Sequence, residues 1–278
     1  MEAKLDKEIH KGRIKGPFDV HPFKNFVCSP LGLVSKKEVG QFRLIHDLSY
    51  PRVNLVNSCI PPEFTAVQYQ NTEIVIDLVQ AHGSNCLMSK ADIQDAFRLI
   101  PIHPSHHHLL GFHWDNKFYY DTALLSSSCQ LFESFSTSLQ WILNQKFNIK
   151  GISHLLDDFF FVGKANTNDC FKALQTFLCL ADILGVPIKA EKTQLPSTCI
   201  TIYGIEIDSK QMVACLPSDK IQKIVSLLLL YKSKCSITLR ELQSLHGLLN
   251  FACSVIIPVW AFLRRLFDLT IGQILFSV

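Results

Sequence analysis

The sequence predicts an α+β fold, in which helices cover one face of an antiparallel sheet and a separate helical lobe follows. Three observations predict it. Strand-like and helical stretches follow one another in the order strand, helix, strand pair, helix, strand between residues 87 and 207. Two-residue polar breaks at 115–116 and 157–158 separate apolar runs and are typical of tight hairpins. Two amphipathic helical stretches then follow, over residues 217–231 and 238–252.

The composition is that of an intracellular globular protein. With 278 residues, 48% hydrophobic and 18% charged, the chain can bury a sizeable core, and its net charge of +3 permits nucleic-acid binding without requiring it. The ten cysteines form no CxxC pair, which argues against a zinc ribbon and favours free thiols in a reducing compartment. The first 20 residues are too charged for a signal peptide, and the apolar run Val255–Leu263 contains Pro258 and is too short to span a bilayer. We therefore expect a cytoplasmic or nuclear protein that is neither secreted nor membrane-bound.

The first third of the chain predicts one hairpin and one helix. Residues 1–26 are polar and basic, and we expect an arm with little structure of its own. The runs Leu31–Val34 and Phe42–Ile45 predict a β-hairpin whose turn lies at Glu38–Gly40. Residues Glu73–Ala81 have helical spacing.

The middle of the chain predicts a strand, a second hairpin and a helix. Leu87–Ala91 is a short strand that ends at Asp92, and Asp115–Asn116 is the turn between Leu109–Trp114 and Phe118–Ala123. A helix follows, because Ser127 and Gln130 have capping-box spacing. Its predicted apolar face consists of Leu131, Phe135, Leu139 and Ile142.

The remaining elements are predicted by the same signals. Ile152–Leu156 and Phe159–Val162 are two apolar strands, and Asp169–Leu184 is a helix that Gly185 stops. The apolar positions of that helix are Phe171, Leu174, Phe177 and Leu178. Thr201–Ile207 is a further strand, and Thr238 with Glu241 forms a capping box at the start of the last helix.

Three carboxylates have the pattern of a metal site. Asp157 and Asp158 lie between two strongly apolar runs, where adjacent like charges repel unless a cation neutralises them. We therefore favour a metal-binding pair over an ordinary turn. Asp92 ends another apolar strand, which alone is a weak signal. Joined in one sheet, the three side chains form a site suited to Mg²⁺, with Mn²⁺ as an alternative, and to two-metal phosphoryl transfer.

The segments around these aspartates resemble the catalytic motifs of reverse transcriptases. They are SKADIQDAF (Ser89–Phe97) and HLLDDFFFVG (His154–Gly163). Five further segments match other motifs in the family's order: SKKEVGQFRLIHDLS (Ser35–Ser49), CQLFESFSTSLQW (Cys129–Trp141), LGVPIKAEKT (Leu184–Thr193), TIYGIEID (Thr201–Asp208) and LRELQSLHGLLNFACSVIIP (Leu239–Pro258). The amino-acid sequences of these segments most resemble those of DIRS-type retrotransposons, which carry a tyrosine recombinase. The resemblance extends from about Gly16 to Gly272.

The resemblance implies a right-hand polymerase, with fingers, a palm of antiparallel sheet backed by helices, and a small helical thumb. The implied divisions are a basic arm over 1–26, fingers over 27–86, a palm over 87–210 with a fingers insertion around 98–125, a thumb and connection over 211–272, and a tail over 273–278. The family's RNase H domain would begin just after Val278, so we expect no RNase H activity in this chain.

The resemblance also implies roles for the catalytic residues. Asp92 and Asp157 would be the principal metal ligands, and Asp158 would support them. Lys192 would donate a proton to the leaving pyrophosphate. Tyr203–Gly204 would hold the primer end. The implied reaction is RNA-directed DNA synthesis from a primer, with deoxynucleoside triphosphates as substrates and an RNA or DNA strand as template, read through base pairing.

The nucleotide would be bound by a second implied group of residues. Lys36 and Arg43 would contact the triphosphate, and the backbone of Ile93 would lie near it. Asp95 with Ala96 would form the pocket. Phe97 would be the steric gate that excludes a ribose 2′-hydroxyl. From the residues alone, the favoured interpretations stay ordinary ones: a core position for Phe97, a surface position for Lys192 and a strand position for Tyr203.

The sequence departs from the family pattern in three places. Thr122–Ser127 stands where the family has a Pro-x-Gly segment, whose glycine lets backbone approach the nucleotide and template base closely. Leu155 replaces an aromatic residue, and Gln41 stands where a basic residue is expected. Two alternatives to an active polymerase therefore stay open: an impaired remnant that binds RNA or an RNA–DNA duplex, and a decaying fragment without function.

Overall fold

The computed structural model describes residues 2–35, 40, 42–50, 56–125, 129–234, 236–256 and 258–274. The chain divides into two compact units. The first unit is Met1–Tyr69 with Ile93–Ser138, and the second unit is Gln70–Asp92 with Leu139–Val278. The sheets are antiparallel and helices separate many of their strands, which confirms the predicted α+β class. Among the described helices, none combines the length and the apolar character that crossing a bilayer requires.

The N-terminal segment of the first unit is folded, so the prediction of an unstructured arm was wrong. Helix α1 (Glu2–His10) buries Leu5, and strand β1 (Ile14–Phe18) buries Ile14 in a cluster with Phe112 and Tyr119. The local signal was weak because only a few apolar residues punctuate a basic stretch. Burial against residues about a hundred positions away stabilises the segment.

Two predicted hairpins of the first unit are confirmed. Strands β2 (Leu31–Ser35) and β3 (Phe42–His46) pair from Leu31 opposite His46 to Ser35 opposite Phe42, and most of their predicted turn lies outside the described residues. Strands β5 (Gly111–Trp114) and β6 (Lys117–Asp121) are joined by Asp115 and Asn116, which both have positive φ as a type I′ turn requires. Strand β1 joins their sheet in the order β1-β6-β5.

Helix α3 (Cys129–Lys146) begins in the first unit and ends in the second. Its predicted cap at Ser127 lies outside the described residues. The predicted apolar face was partly wrong, because Leu131 is exposed while the buried positions of the helix include Phe132, Ser136, Leu139 and Leu143. The buried face is thus rotated by about one residue from the predicted one.

The second unit is built on a four-stranded antiparallel sheet with strand order β7-β8-β4-β9. The strands are β4 (Leu87–Asp92), β7 (Ile152–Leu155), β8 (Asp158–Gly163) and β9 (Gln194–Ser197), and the helices α2 (Thr72–His82) and α4 (Asp169–Ile183) pack on the sheet. Phe159 and Phe161 contact Phe177 of α4, whereas Phe160 packs with Val75 of α2. Because alternate side chains face opposite sides of a strand, both faces are covered, and the expectation of one covered face was wrong.

Helix α4 has nearly the predicted bounds and ends before Gly185, whose φ is +68°. Leu174 and Phe177 are fully buried as predicted. Phe171 is exposed instead, because the buried face continues through Cys170 and Ala173. Small residues on that face let the helix lie close to the sheet.

The predicted strand Thr201–Ile207 is a hairpin, so that prediction was wrong. Strands β10 (Cys199–Ile202) and β11 (Ile205–Asp208) pair antiparallel around Tyr203 and Gly204, and β12 (Val213–Cys215) adds a third strand. Helices α5 (Ser218–Lys232), α6 (Leu239–Ala252) and α7 (Val259–Ile274) follow. The predicted capping box at the start of α6 is present in full.

Candidate functional site

The second unit brings the three predicted aspartates together. Strand β4 ends at Asp92 and strand β8 begins at Asp158, and these two residues lie opposite each other in the ladder. Residues directly opposite in an antiparallel pair have Cα atoms about 4.5–5.5 Å apart. Asp157 precedes Asp158 in the turn from β7, where Leu155 pairs with Asp158. Asp92 and Asp158, 66 positions apart in the chain, therefore meet at one end of the central strand pair.

The acidic turn differs from the predicted one by one residue. The turn residues are Leu156 and Asp157 instead of Asp157 and Asp158, because Asp158 already belongs to β8. Leu156 has a φ of +53°, in the left-handed region that a bulky side chain rarely adopts. Such a residue stores on the order of 1–3 kcal/mol, and backbone strain of this kind clusters at functional sites.

Two lysines neutralise Asp92, which is only 3% exposed. Lys189 donates its Nζ to Oδ1, and Lys192 donates its Nζ to Oδ2 at 2.7 Å. The backbone N–H of Lys189 also donates to the carbonyl of Asp92 at 2.9 Å. Lys192 was predicted from the resemblance, and its pKa is raised by the hydrogen bond to Asp92. Lys189 was missed, because a lysine 97 positions from its partner leaves no local pattern.

No Lys or Arg of the described residues forms an ion pair with Asp157 or Asp158, and burial disfavours both as anions. Burial raises the pKa of Asp157, and the charge of Asp92 raises it further. Burial, followed by the charges of Asp157 and Asp92, raises the pKa of Asp158 to about 6. Within the described ranges, no three or more His, Cys, Asp or Glu side chains are arranged to hold a metal ion, and both oxygens of Asp92 face ammonium groups. The cluster therefore carries negative charge that it does not fully compensate.

Replacing Asp158 by asparagine is expected to stabilise the metal-free protein near neutral pH, by about 1–2 kcal/mol. A folded-state pKa raised to about 6 means that the native state binds the proton more tightly. The stability associated with this group is therefore present below about pH 4 and is lost as the pH rises through 6. Urea unfolding in EDTA at pH 4.5 and pH 7.5 measures the effect. A variant that is no more stable than the parent at pH 7.5 would contradict the expectation.

A groove of about 910 Å³ opens beside Asp158. Its lining includes Lys192, Tyr203 and Gly204. Both turn residues have positive φ, 49° and 83°, as the type I′ hairpin between β10 and β11 requires. The predicted primer-end residues thus line the same groove as one of the predicted metal ligands.

The turn at Tyr203 is tied to the acidic hairpin. The phenol oxygen of Tyr203 lies 3.2 Å from Ser153 Oγ, and the hydroxyl makes a long contact of 3.5 Å to the carbonyl of Asp158. Ser153 Oγ in turn donates to Gln70 Oε1 at 2.8 Å, and the same oxygen accepts the backbone N–H of His154 at 3.1 Å. These polar groups were missed, and they hold β7 in place beneath the turn.

Lys220 fixes the other half of that turn. Its Nζ donates to the carbonyl of Gly204 at 2.9 Å and lies 3.9 Å above the ring centre of Phe251. A Cβ at Gly204 would lie 2.3 Å from this Nζ. Because this Nζ is the end of a flexible side chain that can move aside, the position favours glycine chiefly for its backbone angle, a φ of +83°.

The first unit carries the residues predicted for the nucleotide. Ile93 and Ala96 are buried, and Phe97 is half-buried with its ring centre 5.0 Å from that of Phe132. Arg43 is exposed on β3, opposite Val34. Lys36 lies outside the described residues, as do Gln41 and Ser126–Ser128.

Asp95 is paired with the basic N-terminal segment. It has a left-handed backbone, with a φ of +52°, and its Oδ2 accepts from Lys11 at 2.5 Å and from Arg13 at 2.9 Å. Burial alone would raise the pKa of Asp95, but the hydrogen bonds from the two cations outweigh it and lower the pKa to about 2. Lys11 and Arg13, which belong to the segment expected to have little structure of its own, thus form ion pairs within the first unit.

Replacing Asp95 by asparagine is expected to destabilise the protein at pH 7 but not at pH 2. A depressed folded-state pKa contributes stability above about pH 4 that is lost as the pH falls through 2. The variant should therefore lose part of the acid sensitivity of the parent. Urea unfolding between pH 7 and pH 2 tests this, with Asp77→Asn on the exposed face of α2 as the control for charge removal. Identical pH profiles of the Asp95 variant and the parent would refute it.

Comparisons with known proteins identify a fold. No known family and no curated protein matches the sequence. Among solved structures, a foamy viral protease-reverse transcriptase (dRH form) in complex with double-stranded DNA matches with a TM-score of 0.68 and 24% identity, over 94% of this chain and 42% of that one. Two others, in complex with double-stranded DNA and with an RNA/DNA hybrid, match with TM-scores of 0.67 and 0.66, each at 23% identity.

These matches cover 95% and 94% of this chain and 51% and 32% of the neighbours, respectively. The chain thus spans between a third and a half of the length of the proteins it resembles. Identities below 25% carry the fold and not the activity. The chain has a reverse-transcriptase-like fold of helices and antiparallel sheets.

Proposed function

We propose that the chain is an RNA-directed DNA polymerase that adds deoxynucleotides to a primer 3′-hydroxyl. The observation that carries the proposal is the meeting of Asp92, Asp157 and Asp158 at the end of the central strand pair, in a chain whose fold resembles reverse transcriptases. Carboxylate oxygens suit Mg²⁺ or Mn²⁺. Burial, followed by the charges of neighbouring aspartates, raises the pKa values of Asp157 and Asp158, and a bound cation would favour their ionised forms. The three carboxylates have the donor chemistry of a divalent-metal site, but the described residues are not arranged as one, and the proposal requires Asp92 to release at least one ammonium group.

The residues of the second unit have separable tasks in this proposal. Asp92 and Asp157 hold the ions and Asp158 supports them. Bound divalent ions supply the Lewis acidity that two-metal phosphoryl transfer needs. Lys192, whose side chain is half-exposed beside the groove, donates a proton to the departing pyrophosphate. Tyr203–Gly204 positions the primer end next to Asp158.

The first unit supplies the nucleotide contacts in the same proposal. Arg43 and Lys36 contact the triphosphate, while Ile93, Asp95 and Ala96 shape the pocket. Phe97 excludes ribonucleotides, and its half-buried ring is held against Phe132. The neighbouring structures hold double-stranded DNA and an RNA/DNA hybrid, which supports a primer–template duplex as the partner. The resemblance of the motif segments to those of DIRS-type retrotransposons supports an origin in such an element.

Primer extension on an RNA template tests the proposal. The full chain is incubated with a labelled DNA primer annealed to RNA, the four deoxynucleotides and Mg²⁺. Extension that follows the template and stops with EDTA is expected. A folded protein that extends no primer with either Mg²⁺ or Mn²⁺ would refute the polymerase assignment.

A second candidate is a catalytically impaired protein that binds a duplex without extending it. One observation favours it: Leu124, in the stretch that replaces the family's glycine segment, is 2% exposed and donates its N–H to Ile100 at 2.8 Å. This backbone is committed to the interior of the first unit. Duplex binding that weakens steeply with salt, in the absence of extension, would support this candidate.

A further inference from the structure

We infer that Lys189 is a built-in counter-cation for Asp92, which stabilises the metal-free site and competes with divalent ions for it. The inference deepens the proposed function and rests on its metal site. The resemblance implied a role for Lys192 alone, and no role for Lys189.

Lys189 is fixed to Asp92 more firmly than Lys192 is. Its backbone N–H and its Nζ both reach the same aspartate, whereas Lys192 reaches it through Nζ only. The side chain of Lys189 is 24% exposed and that of Lys192 is 55% exposed. The carbonyl of Lys189 also accepts Thr193 Oγ1 at 3.0 Å, which holds its backbone in place. Lys189 is thus the more buried and more firmly anchored of the two cations, and Lys192 is the more exposed one and lines the groove.

The charge of Lys189 affects both the stability of buried Asp92 and the binding of a metal ion beside it. A carboxylate as buried as Asp92 is strongly destabilising unless a cation pairs with it. When no metal is bound, Lys189 provides that pairing together with Lys192, and Lys189 is the less exposed of the two. A divalent ion at Asp92 would lie close to the same ammonium group, and like charges at such distances repel. Lys189 should therefore stabilise the metal-free protein and raise the metal concentration that fills the site.

Lys189→Met tests the inference because methionine keeps an unbranched chain and removes the charge. Thermal melting is followed in EDTA and across a Mn²⁺ series, and Mn²⁺ binding is measured by the loss of the free-ion electron spin resonance signal. In EDTA the variant should melt below the parent. Its half-saturating Mn²⁺ concentration should be lower than the parent's by at least about three-fold.

Three further variants serve as controls. Lys172→Met, on the exposed side of α4, controls for the loss of a lysine and should match the parent. Lys189→Arg keeps the charge and should bind Mn²⁺ within about two-fold of the parent. Asp157→Asn should lose most of the binding, which assigns the signal to this site. If Lys189→Met does not fold in EDTA, added Mn²⁺ should restore its folding.

The outcomes separate the inference from the proposed function. An unchanged half-saturating concentration in Lys189→Met, or a failure of Mn²⁺ to restore an unfolded variant, overturns the inference while the parent still binds Mn²⁺. A parent that binds no Mn²⁺ overturns the metal site itself, and the inference with it.

Discussion

Asp157→Asn is expected to lower the rate of primer extension on the order of 10³-fold, which corresponds to about 4 kcal/mol of transition-state stabilisation. Asparagine keeps the shape of the side chain but removes the charge that would hold a divalent ion. Asp157 lies in the turn between β7 and β8, so the loss of one carboxylate leaves the strands paired. Single-turnover primer extension at saturating Mg²⁺ measures the effect.

The same variant should keep the fold. Burial and the charge of Asp92 raise the pKa of Asp157, so its ionised form already costs stability, and asparagine removes that cost. Asp169→Asn, at the start of α4, is the matched control and should extend primers at the parent rate. If Asp157→Asn retained more than about a tenth of the parent rate, the assignment of Asp157 as a principal ligand would be wrong.

Gly163→Ala is expected to destabilise the second unit by about 3 kcal/mol. A Cβ at Gly163 would lie 2.3 Å from the backbone nitrogen of Cys170 and 3.0 Å from the carbonyl carbon of Asp169. These atoms belong to the first turn of α4 and cannot rotate away as a side chain could. The added methyl group must therefore push the helix from the end of β8. Equilibrium unfolding in urea measures the change.

Gly247→Ala provides the opposite control. Gly247 lies inside α6, and apart from its chain neighbours and the backbone of its own helix, no atom of the described residues is within 4 Å of its would-be Cβ. Alanine should stabilise the helix by about 0.5–1 kcal/mol, because it restricts the unfolded chain. Equal effects of the two substitutions would show that the close approach at Gly163 does not limit the packing of α4.

Local patterns predicted the elements that local interactions specify. The hairpin at Asp115–Asn116 was predictable because its residues tolerate the left-handed conformation. The hairpin at Tyr203–Gly204 was missed because a tyrosine at positive φ is unusual. One signal was present: the buried isoleucines fall on even positions before the turn (Ile200, Ile202) and on odd positions after it (Ile205, Ile207). Such a change of phase indicates a break in a strand.

The functional residues divide in the same way. The three aspartates were predictable because each ends or follows an apolar strand, and the sheet then brought them together. The lysines that pair with Asp92 and Asp95 were not predictable from spacing. Lys11 pairs with Asp95 across 84 positions, and Lys189 pairs with Asp92 across 97. Pairings of this kind follow from tertiary structure, and a single sequence contains no periodic trace of them.

Asp92 and Asp158 lie opposite each other in the ladder between β4 and β8. The position of these two carboxylates therefore depends on the number of residues in each strand as well as on side-chain identity. One extra residue within β8 would either turn every following side chain to the opposite face or, if those side chains kept their places, move Asp158 away from its partner. An extra residue at 164–168, between β8 and α4, would leave the pairing of Asp92 with Asp158 unchanged. Insertions and deletions within β4 and β8 should therefore be as damaging to the site as substitutions of the aspartates themselves.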